Sequence, residues 1–263
     1  MNLLSSGWRR FYSHWLFSSI GLVLLCVGLN SCSVPTQAGS SQPTDAQLEA
    51  KVLQIIRSRP EVILESVQAY QKKQQEQQQQ AQKAFLQGMK SNPKSVIGES
   101  PITGASQQKI VLLEFSDFQC PYCGKAHETL KQFMAKHQNQ VTLVYKHLPL
   151  TAIHPEAMPA AKAAWAAGQQ GKFWEFHNAS FTQQDKLGES FYVATAKALN
   201  LDLKRFDQDR NGNAANAAIQ KDVEMAQKIG VSGTPFLVMN GLPLSGAAEL
   251  PELEALLAQV SKS

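Results

Sequence analysis

Two of the four cysteines in this 263-residue sequence, Cys120 and Cys123, are separated only by Pro121 and Tyr122. Thiols at that spacing can close and reopen a disulfide between themselves, which is the chemistry of two-electron exchange with other thiols. Stapling is the weaker use of such a pair, because closing so short a loop removes little entropy from the unfolded chain. Cys26 lies inside an apolar N-terminal run and Cys32 just beyond it, so neither extends the pair into a disulfide framework. A zinc alternative would take Cys120, Cys123 and His127 as three ligands, but no fourth ligand and no second close Cys/His pair is recognisable. Neither a metal nor another cofactor is expected.

The elements around the pair decide how reactive it is. Ile110-Val111-Leu112-Leu113-Glu114-Phe115 is an apolar run suited to a strand buried on both faces. A turn over 116–119 follows, then Pro121 where a first helical residue tolerates lacking an amide proton, then Ala126, Leu130, Phe133 and Met134 at helical spacing. Val141-Thr142-Leu143-Val144-Tyr145 completes a βαβ unit. Cys120 therefore falls at a helix N-terminus, where free amide protons and the helix dipole stabilise a thiolate. It is the expected attacking and attacked sulfur, with Cys123, one turn in, resolving the mixed disulfide. Glu114, an acid in an apolar strand, is expected either to exchange a proton with Cys123 from a burial-raised pKa or, more simply, to reach water at the strand end. His127 is read as an exposed helix residue, and His147, His154 and His177 as packing or surface residues.

Phe115-Ser116-Asp117-Phe118-Gln119-Cys120-Pro121-Tyr122-Cys123 resembles the active-site segment of the DsbA family of thioredoxin-fold proteins. Gly233-Thr234-Pro235-Phe236 is similar to that family's cis-proline loop, and the order of elements follows the family over 109–260. The resemblance implies an α/β thioredoxin fold with an inserted helical subdomain, here about 155–230 with Phe173, Trp174 and Phe176 in its core. It also implies a cis bond before Pro235 that turns the Thr234 backbone towards the cysteines, where a client chain would meet Pro121, Tyr122, Thr234 and Pro235. An acid at the spacing of Glu114 is common among thioredoxin-like proteins. Tyr122 stands where the best-known oxidants of the family have histidine; lacking positive charge, it should leave the disulfide less oxidising. Downstream, 236–239, an Asn240-Gly241 turn and 242–244 read as a hairpin, and 250–260 as a closing helix.

Ahead of this domain, Arg9-Arg10 and the apolar run over 16–29 read as an export signal, 1–31. Leu29-Asn30-Ser31-Cys32 resembles a bacterial lipobox, which implies lipidation at Cys32 and anchoring to a membrane in the periplasm or cell envelope; cleavage near Thr36-Gln37-Ala38 is the alternative. Residues 32–43 suit a flexible tether. Over 44–92 a helical arm is expected, beginning with a Thr44/Gln47 capping box and broken at Pro60. Its stripe of Ile63, Val67 and Tyr70 runs into a Gln-rich tract over 74–80, which reads either as a solvent-exposed connector or as an oligomerisation arm; Arg59-Pro60-Glu61-Val62-Ile63-Leu64-Glu65 resembles the arms of ScsC-like and Com1-like exported proteins, which implies self-association in the second case. The formal charge is +4, two of which come from Arg9 and Arg10, so nothing calls for a nucleic-acid partner. The expected partners are client proteins with cysteines and a redox partner protein. Three readings stand: an oxidase, an oligomeric isomerase or reductase, and a non-catalytic lipoprotein adaptor.

Overall fold

In chain order, a computed structural model describes residues 44–262; the expected signal, Cys32 and the tether lie outside the described residues. Helix α1 is Asp45–Ser58. The Thr44 N–H donates to Gln47 Oε1 at 3.1 Å, which is one half of the anticipated capping box. Pro60, at the first position of helix α2 (Pro60–Ser91), separates the two helices. The chain falls into two compact units, one ending at Ser58 and one beginning at Arg59. Within the second unit, the last turns of α2 bury Met89 and pack Phe85 and Leu86 against the sheet.

A 3₁₀ turn, Pro93–Val96, leads into strands β1 (Ile102–Gly104) and β2 (Ile110–Ser116), helix α3 (Pro121–His137) and strand β3 (Val141–His147). Five helices follow: α4 (Ala157–Gly168), α5 (Phe173–Thr182), α6 (Glu189–Ala198), α7 (Leu203–Asn211) and α8 (Asn213–Lys228). Strands β4 (Phe236–Met239) and β5 (Leu242–Ser245) and helix α9 (Leu250–Val260) complete the described chain. The five-stranded sheet has the order β1-β3-β2-β4-β5. Its central pair β2/β3 is parallel and the other pairings are antiparallel. Every residue of β2 and β3 is buried, which explains why apolar residues run on over 110–113 and 143–145 instead of alternating with polar ones.

Alternate residues of β2 serve two cores. Val111, Leu113 and Phe115 meet Met89, Ala226 and Ile229, whereas Leu112 meets Phe133, Leu237, Leu253 and Leu257. A third core fills the helical insertion, where the alanines of α4 let Phe176, Tyr192 and Phe206 approach closely. Phe173 and Phe176 are buried as expected, while Trp174 is half-buried and donates Nε1–H to the Ile102 carbonyl at 2.7 Å.

Lys146 and Asp222, both buried, form an ion pair of 3.1 Å that ties α8 to β3, and Asp222 Oδ2 also accepts the His147 N–H at 3.0 Å. At the β4–β5 turn Gly241 has φ of 84°, and a Cβ there would strike the Leu86 carbonyl, so glycine permits α2 to lie on the hairpin. Strand β1 was not anticipated: Ile-Thr-Gly is too short to show a period, and it exists through its antiparallel pairing of Ile102 with Val144.

Candidate active site

Cys120 is the N-cap of α3, with extended backbone (φ −70°, ψ 121°), and Pro121 occupies the first turn. The Asp117 carbonyl accepts the Cys120 N–H at 3.1 Å, closing the turn that feeds the helix. Both cysteines are free thiols. Cys120 is 4% exposed and Cys123 0%, while Tyr122 between them is 68% exposed. Both cysteines are thus buried, Cys120 marginally less so than Cys123.

The peptide bond before Pro235 is cis. It brings the Thr234 carbonyl to 3.5 Å from Cys120 Sγ, which donates to it. The Cys120 thiol is pushed down to about 5, first by a hydrogen bond from the Cys123 thiol, then by the Thr234 side chain and the Cys123 and Tyr122 amides, against the opposing effect of burial. Burial, the same Cys120–Cys123 hydrogen bond and the nearby Glu114 carboxylate push Cys123 up. One pair therefore holds one acidic and one reluctant thiol, the division of labour that disulfide exchange needs.

Glu114 is 1% exposed, and its Oε1 has no hydrogen-bond partner among the described residues. Burial raises its carboxyl to about 7. Glu114 pairs in register with Tyr145, and Ser116 with His147, so four polar side chains share the sheet face behind Cys123. Glu114 also borders a cavity of about 210 Å³ that His127 and His177 line and that reaches exposed Lys131 and Gln138. His127 is buried, against expectation, because α5 packs over it with His177 and Phe181 rings at 5.2 and 5.1 Å. His147 and His177 are packing residues; burial lowers both to about 3, so both are neutral. Among the described residues no three His, Cys, Asp or Glu side chains are placed to share a metal ion, and Cys120, Cys123 and His127 do not form such a group.

Two supports escaped sequence reasoning. Asp117 is buried; its Oδ1 accepts the Gln119 N–H at 2.8 Å, its Oδ2 accepts the Leu150 N–H at 3.0 Å and lies 2.7 Å from His154 Nδ1, and its own N–H points to Cys123 Sγ at 3.5 Å. His154 is thus a partner of the active-site turn rather than a bystander. Gln184 donates to the Phe118 and Cys120 carbonyls at 2.7 and 2.9 Å, and a Cβ at Gly124 would collide with its Oε1, so that glycine admits it.

A family model described as thioredoxin matches residues 97–259. A thioredoxin-like oxidoreductase from Silicibacter pomeroyi is 29% identical, with a TM-score of 0.60 over 65% of this chain and 99% of that one. The thiol-disulfide exchange protein alpha-DsbA2 of Wolbachia pipientis is 21% identical, with a TM-score of 0.60 over 68% of this chain and 98% of that one. Proteus mirabilis ScsC in a transitional conformation is 24% identical, with a TM-score of 0.58 over 83% of this chain and 97% of that one. The chain spans about a quarter of the length of the curated relatives it matches: the Na⁺/H⁺ antiporter NhaA 3 of Salinispora tropica is 36% identical over 154 residues, 59% of this chain and 24% of that one. Among the described residues no helix is long and apolar enough to cross a membrane.

Proposed function

This chain belongs to the thioredoxin family, and from that premise we propose that it is an exported protein thiol-disulfide oxidoreductase that oxidises client proteins through Cys120 and Cys123. The observation that carries the reading is the acidic Cys120 thiol beside the Thr234 carbonyl, with a buried Cys123 behind it. A client thiolate attacks Cys120 Sγ of the oxidised pair; the S–S bond breaks, and Cys123 leaves as a thiolate that takes a proton from Glu114, a buried carboxyl whose charge Cys123 feels. A second client thiolate then attacks the client sulfur of the mixed disulfide and Cys120 leaves as a thiolate. The client has lost two electrons and the pair has gained them, and a redox partner protein with a disulfide of its own reoxidises the pair. A Cys120 near 5 lies between the strongest oxidants, about 3.5, and thioredoxin, about 7, which favours an oxidase weaker than those with histidine at the Tyr122 position.

Export through the signal over 1–31, lipidation at Cys32 and attachment to a membrane of the bacterial periplasm or cell envelope remain part of this reading, with the tether over 32–43, the arm over 44–92 and the catalytic domain from 93 onward. Self-association through the arm is favoured by exposed apolar residues: Leu48, Val52, Ile55 and Ile56 on α1, and Val62, Ile63, Val67 and Tyr70 on α2. An assembly of that kind would suit an isomerase, in which reduced Cys120 attacks wrongly paired disulfides. Mixing the oxidised protein with a reduced, unfolded client separates the readings. The oxidase forms one client disulfide per Cys120-Cys123 pair, Cys120→Ser forms none, and an isomerase instead rescues a scrambled client only when reduced. Full biological activity in Cys120→Ser would leave the adaptor.

A further inference from the structure

The face of α2 that meets the domain changes character along its length. Phe85, Leu86 and Met89 bury their apolar side chains, and one and two turns earlier the same face carries Gln82 and Gln78. At that level α2 passes the loop before β4. A methyl group in place of the Gly230 hydrogen would stand 3.7 Å from both the Cβ and the Oε1 of Gln78. Gln82 lines an open groove of about 420 Å³ together with Ser232, Gly233, Thr234, Pro235 and Gly246. Thr234 links the groove to the reactive sulfur, because it lines the groove and its carbonyl receives Cys120 Sγ at 3.5 Å. Among the described residues, neither glutamine side chain nor the N–H groups of Ser232 and Gly233 have a hydrogen-bond partner. The primary amide at position 82 supplies this groove with two donors and an acceptor.

We propose that Gln82 and Gln78 form the outer wall of the client groove, so that the arm helix itself holds an extended polypeptide segment beside Cys120 through amide-to-backbone hydrogen bonds. This rests on the thiol-disulfide exchange reading and names the surface that serves it. The occupant is an extended chain because the opposite wall offers the unpaired Ser232 and Gly233 N–H groups, and recognition is indifferent to client charge because the wall carries none. The test compares full-length oxidised protein in detergent micelles, reduced by a two-cysteine peptide and by dithiothreitol, which is too small to span the groove. Gln78→Ala/Gln82→Ala should slow reduction by the peptide about three- to tenfold, the worth of one or two neutral hydrogen bonds, and leave the dithiothreitol rate unchanged. Gln82→Glu should lower the ratio of acidic-peptide to basic-peptide rates, which general loosening of the fold would not do. Unchanged peptide rates in both variants, or equal losses with peptide and dithiothreitol, would overturn the proposal. Wild-type protein that dithiothreitol reduces normally but the peptide does not would also overturn it, whereas failure with both reagents would remove the exchange reading on which it stands.

Discussion

Replacing Cys123 by alanine removes the first contributor to the acidity of Cys120 while leaving the helix N-terminus and Thr234 in place. A hydrogen bond to a charged group is worth about 1.5–3 kcal/mol, which corresponds to a roughly 10- to 150-fold smaller ionisation constant for Cys120. From a starting value of about 5, the thiolate fraction at pH 6 should fall from roughly nine-tenths to below one-half. Thiolate absorbance near 240 nm, titrated in a form beginning at Thr44, reads this directly, since its only cysteines are Cys120 and Cys123. Cys123→Ser, which keeps a hydroxyl donor at the same place, should recover part of the lost acidity. A Cys123→Ala titration indistinguishable from that of Cys120 in the reduced parent would refute the reasoning, assigning the acidity to the helix terminus and backbone alone.

Other consequences concern the buried groups. Glu114 has a folded-state value of about 7 against an ordinary 4.5, so between those values the unfolded chain has lost a proton that the folded chain still holds, and stability falls as pH rises. Urea unfolding of the reduced protein at pH 4.5 and pH 7.5 should show up to about 3 kcal/mol of stability lost in the parent relative to Glu114→Gln, and equal pH dependence in the two would contradict the burial of this carboxyl. Asp117→Ala strips acceptors from the Gln119 and Leu150 amides and from His154, and should cost about 2–4 kcal/mol by the same method, against no change if the turn is held by other contacts. Lys146→Met leaves Asp222 buried and unpaired and should cost about 3–5 kcal/mol, most of it recovered in Lys146→Met/Asp222→Leu; a double-mutant cycle without coupling would deny the ion pair that role.

The parts of this fold legible in the sequence are those governed by neighbours along the chain. The run into Phe115, the turn to Cys120 and Pro121 at the helix start each follow from spacing and from what proline cannot donate. The cis bond at Pro235 was legible through family resemblance rather than through spacing. What stayed hidden depends on partners distant in sequence. Asp117 meets His154 across 37 residues and Gln184 meets Phe118 across 66, and single polar residues carry no period that would announce such meetings. His127 illustrates the same limit: on its own helix it sits beside Glu128 and reads as polar surface, but α5, placed by the insertion, covers it. Where α2 ends is similar, because only Gly241 against Leu86 and the burial of Met89 reveal that the Gln-rich helix finishes inside the domain core.

The central claim is that Cys120 and Cys123 form a redox pair poised to oxidise other proteins. Equilibrating the form beginning at Thr44 with glutathione buffers measures its reduction potential directly. The acidic Cys120 predicts a value between those of thioredoxin, about −270 mV, and the strongest exported oxidant, about −120 mV, on the oxidising side of about −200 mV. A value at or below that of thioredoxin, or a pair that does not cycle at all, would contradict the account.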